Sequence, residues 1–545
     1  MGIFGGGIGI IEKGGRTGER PKFVEGARYY LQYAGMPDTL VYSLNENKSD
    51  YKDDYQSRGE YVNYLYGNPF GPNKDRKAQG LGIPVDLSLA FHTDAGESRS
   101  DTTIGTLVIY SVEDADSQSV FPDGVSRLAS RDFADILQTE IVSDIRTKYD
   151  SVWRKRRLWE AQYSEAYRPN VPAALLELLS HQNFLDMQFM LDPRFRFDVS
   201  RSIYKAMLKF LSVQYGYNYV VHPLPVNNFQ TSFNDEGNVE LKWSPVEDPK
   251  EPTASPEHYV VYVRVNDQGF GNGIPVYDTT YVFENPALDS IYSFKVTAVN
   301  KGGESFPSEI LAASKVEDNP DAVLIINAFD RISGPSIVDE GDFRGFLGFL
   351  ENGVPDKYDL NYTGTQFNFN ADSDWQTDDA PGHGASYGNM ETSIVAGNTF
   401  DFPFVHGTAI KNAGHSFVST SDESVMNGSV NLSSYKLIDI ILGEERKTEW
   451  QKPFADSLLG IQFEAFPKSF RKEISKYLEQ GGNLFISGAY LGSDLLTTSP
   501  DSSEINFAKE ILKFSLSTDH AVKNGVFYSI DSSFFDTKNI FEFET

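Results

Sequence analysis

The chain has no cysteine. That excludes disulfides, thiolate zinc sites and a cysteine nucleophile, and it leaves the redox compartment undetermined. Long apolar runs are also missing. None reaches the ~18 residues needed to cross a bilayer, so no transmembrane segment is expected. Positive charge is scarce: 48 basic residues stand against 77 acidic ones, a net charge of −29. So acidic a chain is repelled by nucleic acid and by anionic membrane surfaces. The start, MGIFGGGIGIIEKGG, lacks the cationic opening and continuous apolar core of a secretion signal. It reads like the tail of a preceding strand and a glycine-rich turn. The end, NIFEFET, stops without a clear close to its domain. Both ends are expected to be cut from a longer protein.

What is present is globular in composition, and 545 residues exceed one core, so about three or four domains are expected. The organising stretch is Val171 to Asn183, VPAALLELLSHQN. It reads as a buried strand ending in one carboxylate, Glu177. Upstream, Ile83 to Gly96, IPVDLSLAFHTDAG, is a second apolar strand and ends in His92. Two such strands delivering polar groups to one sheet edge are how α/β folds assemble a site.

The rest of the N-terminal part alternates between the two structure types. Residues from about 20 to 35 have helical spacing through Phe23, Ala27, Tyr30, Leu31 and Ala34, with Gly35 ending the run. Leu40 to Ser43 reads as a short strand. Asp50 to Asn68 reads as a polar loop leading into a helix that carries Arg58. A strand from Gly105 to Tyr110 and a long amphipathic helix from Ser126 to Tyr149 follow. The basic cluster Arg154 to Arg157 precedes the Glu177 strand, and a helix from about Phe195 to Val213 comes last. The alternation argues for an α/β sandwich.

Leu224 to Ala313 changes character, with short strands between turns. Trp243 in VELKWSP, Tyr262 in HYVVYVRV and Tyr292 in IYSFKVTAVNKGGESFPS resemble a fibronectin type III domain, which implies an all-β sandwich serving as spacer or binding module. From Asp321 onward, AVLIINAF, KLIDIILG and GNLFISGAY are continuous apolar strands, the mark of a parallel sheet covered on both faces. Residues Phe470 to Gln480 form a helix capped by Gly481 and Gly482. This part resembles glutamine-amidotransferase-like or flavodoxin-like α/β domains, without the amidotransferase cysteine. The expected division is 1–220, 221–316 and 320–545.

His92 ends a strand among small and polar residues, where an imidazole is either a metal ligand or a structural hydrogen-bonding group. Glu177 lies among apolar residues. Burying it unpaired costs several kcal/mol or pushes its pKa up. It is therefore either a general base or one half of a buried ion pair, with Arg58 as the candidate partner. In the C-terminal part, Pro381 to Gly384, PGHG, reads as a turn. An alternative makes His383, His406 and His415, with Asp378 and Asp379, a local metal or glycan site. Ser487 is not in a G-x-S-x-G elbow, no histidine follows it closely except His520, and a packing role is expected.

VPAALLELLSHQNFLD followed by MLDPRFRFDVSRSIYKAMLKFL resembles the closing motif of zinc-dependent N-acetylmuramoyl-L-alanine amidases of type 3: a V-P-x-x-L-x-E strand, an S-x-x-N loop and a helix. IPVDLSLAFHTDAG is similar to that family's D-L-x-x-S-x-H-x-N-A strand, with Ala90 and Asp94 where the family has Ser and Asn. Asp54 to Asn63, with Arg58, is similar to its R-x-x-x-x-N helix. The resemblance covers about residues 20 to 215. The domain company resembles large Bacteroidetes envelope proteins labelled "xanthan lyase", although nothing in this chain supports lyase chemistry.

The resemblance implies a zinc ion held by two histidines and a glutamate, a metal-bound water, and a second glutamate that moves its proton. On matched positions His92 is the later histidine ligand, Glu177 the catalytic glutamate, and Arg58 a supporting residue behind the ligands. The family's first ligand histidine precedes this region, yet no histidine precedes His92. The first strand and two ligands are therefore expected to be missing, with Glu19 as the alternative ligand glutamate. The reaction implied is cleavage of the amide between muramic acid and L-alanine in peptidoglycan, in a periplasmic or secreted protein of the cell envelope. The alternatives are an envelope scaffold that binds peptidoglycan or another glycan without chemistry, or a polysaccharide-active surface protein.

Overall fold

The computed structural model describes residues 26–42, 44, 48–69, 79–96, 98, 102–317, 321–330, 337–346, 358–360, 368–373, 394–396, 400–447, 462–519, 524–528 and 540–544. The chain opens with helices α1 (Ala27–Tyr33), α2 (Asp38–Val41) and α3 (Asp50–Tyr66). Two sequence expectations are corrected here. Leu40 and Val41 belong to a helix, because their side chains bury against Leu31 and Met36 rather than pair in a sheet. Asp50 starts a helix rather than a polar loop, because Ser49 caps it by accepting from the Lys52 N–H.

Four strands form the first sheet: β1 (Ser88–Asp94), β2 (Leu107–Tyr110), β3 (Trp159–Glu160) and β4 (Ala173–Ser180), in the order β1-β4-β2-β3. Between them lie α4 (Leu128–Lys148) and α5 (Ser164–Tyr167), and after them α6 (Phe184–Leu191) and α7 (Pro193–Tyr215). β4 is parallel to β1 and antiparallel to β2. Its run AALLELLS is buried at every position except Glu177, which is partly buried, as a central strand covered on both faces must be. One face, Val108, Ala174, Leu176 and Leu178, packs on α4 and α7 through Phe133, Leu137, Ile141, Val199 and Phe210. α7 begins with the Asp192 carboxylate accepting from the N–H groups of Arg194 and Phe195, has Pro193 in its first turn, and ends at left-handed Gly216.

Eight strands follow: β5 (Asn227–Phe233), β6 (Val239–Ser244), β7 (His258–Val265), β8 (Ile274–Val276), β9 (Thr280–Phe283), β10 (Ile291–Asn300), β11 (Gly303–Glu304) and β12 (Leu311–Ser314). β5, β6 and β9 pair on one side, and β12, β10, β7 and β8 on the other. Alternating inward residues fill the space between, with Trp243 against Tyr259 at 5.4 Å.

The C-terminal part contains β13 (Ala322–Asn327), the hairpin β14 (Ile337–Glu340) and β15 (Phe343–Phe346), and the pair β16 (Tyr358–Leu360) and β17 (Ile394–Ala396). Then come α8 (Phe402–Asn412), β18 (Ser416–Ser421), α9 (Asp422–Met426), β19 (Leu437–Gly443), α10 (Lys468–Glu479) and β20 (Asn483–Gly488). β20, β19, β13 and β18 lie side by side and parallel. Gly407 of α8 sits so close to the Phe417 ring that an added Cβ would lie 2.1 Å from it. This sheet is continuous with the preceding strands. Ser314 of β12 pairs with Phe417, and Gln230 of β5 pairs with Thr420, both on β18. A single apolar core runs from Trp243 to Phe470.

Candidate active site

β1 and β4 run in register so that His92 is opposite Glu177, and on the far side of β4 Glu177 is opposite Leu107. The three side chains therefore make a row across the sheet. α3 and α5 supply the charges beside it. His92 Nε2 lies 3.0 Å from Glu165 Oε2 on α5. The other Glu165 oxygen accepts from Arg58 Nη1 at 3.5 Å, and Arg58 Nη2 donates to Asp54 at 2.6 Å. Arg58 thus pairs with Glu165 and Asp54, and not, as the alternative to a general base had it, with Glu177. Burial raises the Glu165 carboxyl's pKa, but hydrogen bonding to His92 and the charges of His92 and Arg58 outweigh it and hold the group below its usual value.

Glu177 is placed differently. Its Oε2 is buried and has no hydrogen-bond partner among the described residues. Burial pushes the carboxyl up to about 7, against the lowering effect of His92. Two residues past His92, Asp94 pairs with Arg156 at 2.5 Å. Tyr163 feels Glu177's charge and is itself raised above its ordinary value, chiefly by burial. A cavity of about 360 Å³ opens beside Glu165, lined by Tyr51, Tyr55, Gln162, Tyr163 and Ser164.

The loop after β4 is tightly built. Asn183 caps α6 by accepting from the Asp186 N–H, and its Nδ2 donates to the Thr102 carbonyl. The fully buried Asp186 carboxylate accepts from the N–H groups of Ile104 and Ser180. Thr93 Oγ1 lies 3.0 Å from His181 Nδ1. Asn63 accepts from the Asn170 N–H and donates to the Arg168 carbonyl, so α3 pins the segment that feeds β4.

Sequence reasoning missed Glu165. Its only local signal is an acidic residue in the first turn of a four-residue helix. Glu19 and His383 lie outside the described residues. His406 on α8 pairs through Nδ1 with Asp439 of β19 at 2.8 Å, and His415 directly precedes β18. A zinc centre of the implied kind needs three protein donors. His92 with Glu165 makes two, and no group of three ligating side chains among the described residues includes either. The described residues do not complete a zinc centre.

At the carboxyl edge of the parallel sheet, Asp330, Asp422 and Glu423 each present one ligating oxygen within 4.8 Å of the others. Asp422 and the nearby Glu445 are both buried, and burial together with neighbouring carboxylates raises both pKa values well above normal. A carboxyl raised on folding is stabilising while protonated. That stability is present below the unfolded value near ~4 and is lost as pH rises through the folded value. Asp422→Asn is therefore expected to raise the melting temperature by a few degrees at pH 7.5 and to leave it unchanged near pH 4. Equal destabilisation at both values would mean that the Asp422 carboxylate is held by contacts that outweigh the repulsion.

No family model and no curated relative matches the chain. Among solved structures it is similar to the N-acetylmuramoyl-L-alanine amidase from Clostridium difficile 630. That match has 18% identity and a TM-score of 0.18, over 24% of this chain and 59% of that one. It is also similar to the structure of FN3tt mut, at 18% identity and TM-score 0.15 over 17% of this chain and 98% of the other. The FN5 domain of Drosophila Lar matches at 12% identity and TM-score 0.14, over 17% and 98%. Among the described residues no helix is long and apolar enough to cross a membrane.

Proposed function

We propose that the chain belongs to a cell-wall hydrolase that cleaves the N-acetylmuramoyl-L-alanine amide of peptidoglycan, with Glu177 as general base. The observation that carries this reading is the buried, unpartnered Glu177 Oε2 inside the central strand β4, in register with His92. A carboxylate left without a partner in an apolar strand costs stability, and a role in proton transfer explains its retention. Glu177 takes the proton of the attacking water and returns it to the leaving amine of L-alanine. Its pKa near 7 suits both transfers at neutral pH. Arg58, itself engaged by Asp54, holds Glu165, and Glu165 fixes the His92 ring.

Zinc, the ligand roles of His92 and Glu19, the envelope location and the division into 1–220, 221–316 and 320–545 are parts of the proposal. The test is to incubate the chain with purified muropeptides, with and without added zinc, and to look by mass spectrometry for peptides with a new L-alanine amino terminus. Their release supports the reading. Intact substrate under both conditions favours the second reading, a glycan-binding scaffold, which has its own support in the Glu165 carboxylate already engaging His92 Nε2.

A further inference from the structure

A second cavity, of about 600 Å³, adjoins the row of His92, Glu177 and Leu107. Leu107 lines it, so it begins one strand away from Glu177. Arg154, Arg156 and Arg157 line it as well, against a single carboxylate, Glu160, together with Tyr110 and Trp159. In a chain of net charge −29, three arginines around one cavity are unexpected. Arg156 is engaged by Asp94. The guanidinium groups of Arg154 and Arg157 have no ion-pair or hydrogen-bond partner among the described residues, so their forks are available. The planar fork matches a carboxylate or phosphate with two parallel N–H···O bonds. Trp159 is 48% exposed although it sits in a sheet, and its ring meets Tyr163 edge-on at 5.6 Å. An exposed indole offers a flat apolar face to a sugar ring or peptide backbone.

The geometry points to a substrate subsite for the peptide beyond the scissile amide, with its free carboxylates held by Arg154 and Arg157 and its backbone lying against Trp159. This rests on the proposed function, and it adds that the substrate class is the anionic muropeptide rather than one whose carboxylates are amidated. Leu107, paired with Glu177, and Arg156, paired with Asp94, both line the cavity and connect it to the row. Phosphate groups of a wall polymer share the oxyanion chemistry and are the competing source.

The experiment is calorimetric binding to the full chain. Its probes are a synthetic peptide of the L-Ala-D-Glu type with free carboxylates, the same peptide amidated, and a glycerol-phosphate oligomer. Both the wild type and Arg154→Ala/Arg157→Ala are used. Loss of two charge-assisted contacts is expected to weaken the free-acid peptide about 10- to 100-fold. The amidated peptide should bind the wild type as weakly as the acid binds the double variant, and salt should weaken only the acid. Equal binding of the acid to both proteins, no binding to the wild type, or tighter binding of the glycerol-phosphate oligomer would each overturn the assignment. Melting curves check that the variant folds, as expected for two exposed side chains. Failure of the hydrolase reading shows separately, as peptide binding without amide cleavage. Failure of the subsite shows as cleavage that ignores both arginines and amidation.

Discussion

Glu177→Gln lowers muropeptide turnover by about 10²- to 10⁴-fold, the range a positioned proton-transfer group supplies. The substitution keeps the volume of the side chain and removes only its ability to take a proton. It breaks no hydrogen bond at Oε2, because that atom has none among the described residues. Stability moves the other way. Burial raises the Glu177 carboxyl to about 7, above its unfolded value near ~4.3, so the folded protein favours the neutral form. The stabilising contribution of that form is complete below about pH 4 and fades as pH rises to 7 and beyond. Glutamine is neutral at every pH, so the variant is expected to melt at or above the wild-type temperature at pH 8, with no gain at pH 4. Wild-type kcat/KM should climb with pH toward about 7 as the base ionises, and the residual rate of the variant should lack that limb. A variant that keeps more than a tenth of the rate removes Glu177 from the chemistry.

Glu60→Ala is expected to destabilise the N-terminal sheet by about 3–5 kcal/mol, the cost of leaving one member of a buried ion pair without its partner. Glu60 is fully buried. Its Oε1 accepts from Arg168 Nη1 at 2.6 Å and its Oε2 from Asn63 Nδ2 at 3.2 Å. The packing around the pair is close: a Cβ at Gly59 would lie 2.9 Å from Arg168 Cβ. α3 and the segment leading into β4 are therefore held together by charge and by shape, and neither can shift to hydrate an abandoned guanidinium. Amide exchange in β4 and α3 reads this directly, and protection should fall by about 10²- to 10⁴-fold. Replacing Arg168 as well, by Met, should recover most of the loss, since removing both charges spares the lone buried cation. Unchanged protection in Glu60→Ala would show that water reaches Arg168 and that the pair contributes little.

The parts of this protein legible from residues alone are those governed by local burial. A run such as AALLELLS has only one stable place, the middle of a covered sheet, and a lone carboxylate inside it announces a cost that something must offset. Helices α4 and α7 were equally legible, because 3.6-residue spacing acts within a few turns, and α7 adds Pro193 at its start and Gly216 at its end. Short segments were not. Leu40 to Ser43 has the composition of a strand, and it is helical through Val41 because Leu40 and Val41 find their apolar partners on α1 and the turn after it. The same limit applies to the site. That His92 and Glu177 lie on apolar strands could be read in order along the chain, although both strands run past them, to Asp94 and Ser180. That they share a register depends on how β1 and β4 pair.

Glu165 marks the boundary most clearly. It lies 73 residues from His92 and 107 from Arg58, and it touches both. No spacing rule connects positions so far apart, because which helix crosses a sheet edge is settled by packing the whole layer. The continuous core that joins β5 and β12 to β18 has the same origin. Sequence set each strand's hydrophobic faces and each helix's ends. Tertiary structure alone decided which charges meet, because a charge's partner is chosen by distance in space and its energy by the water that packing removes.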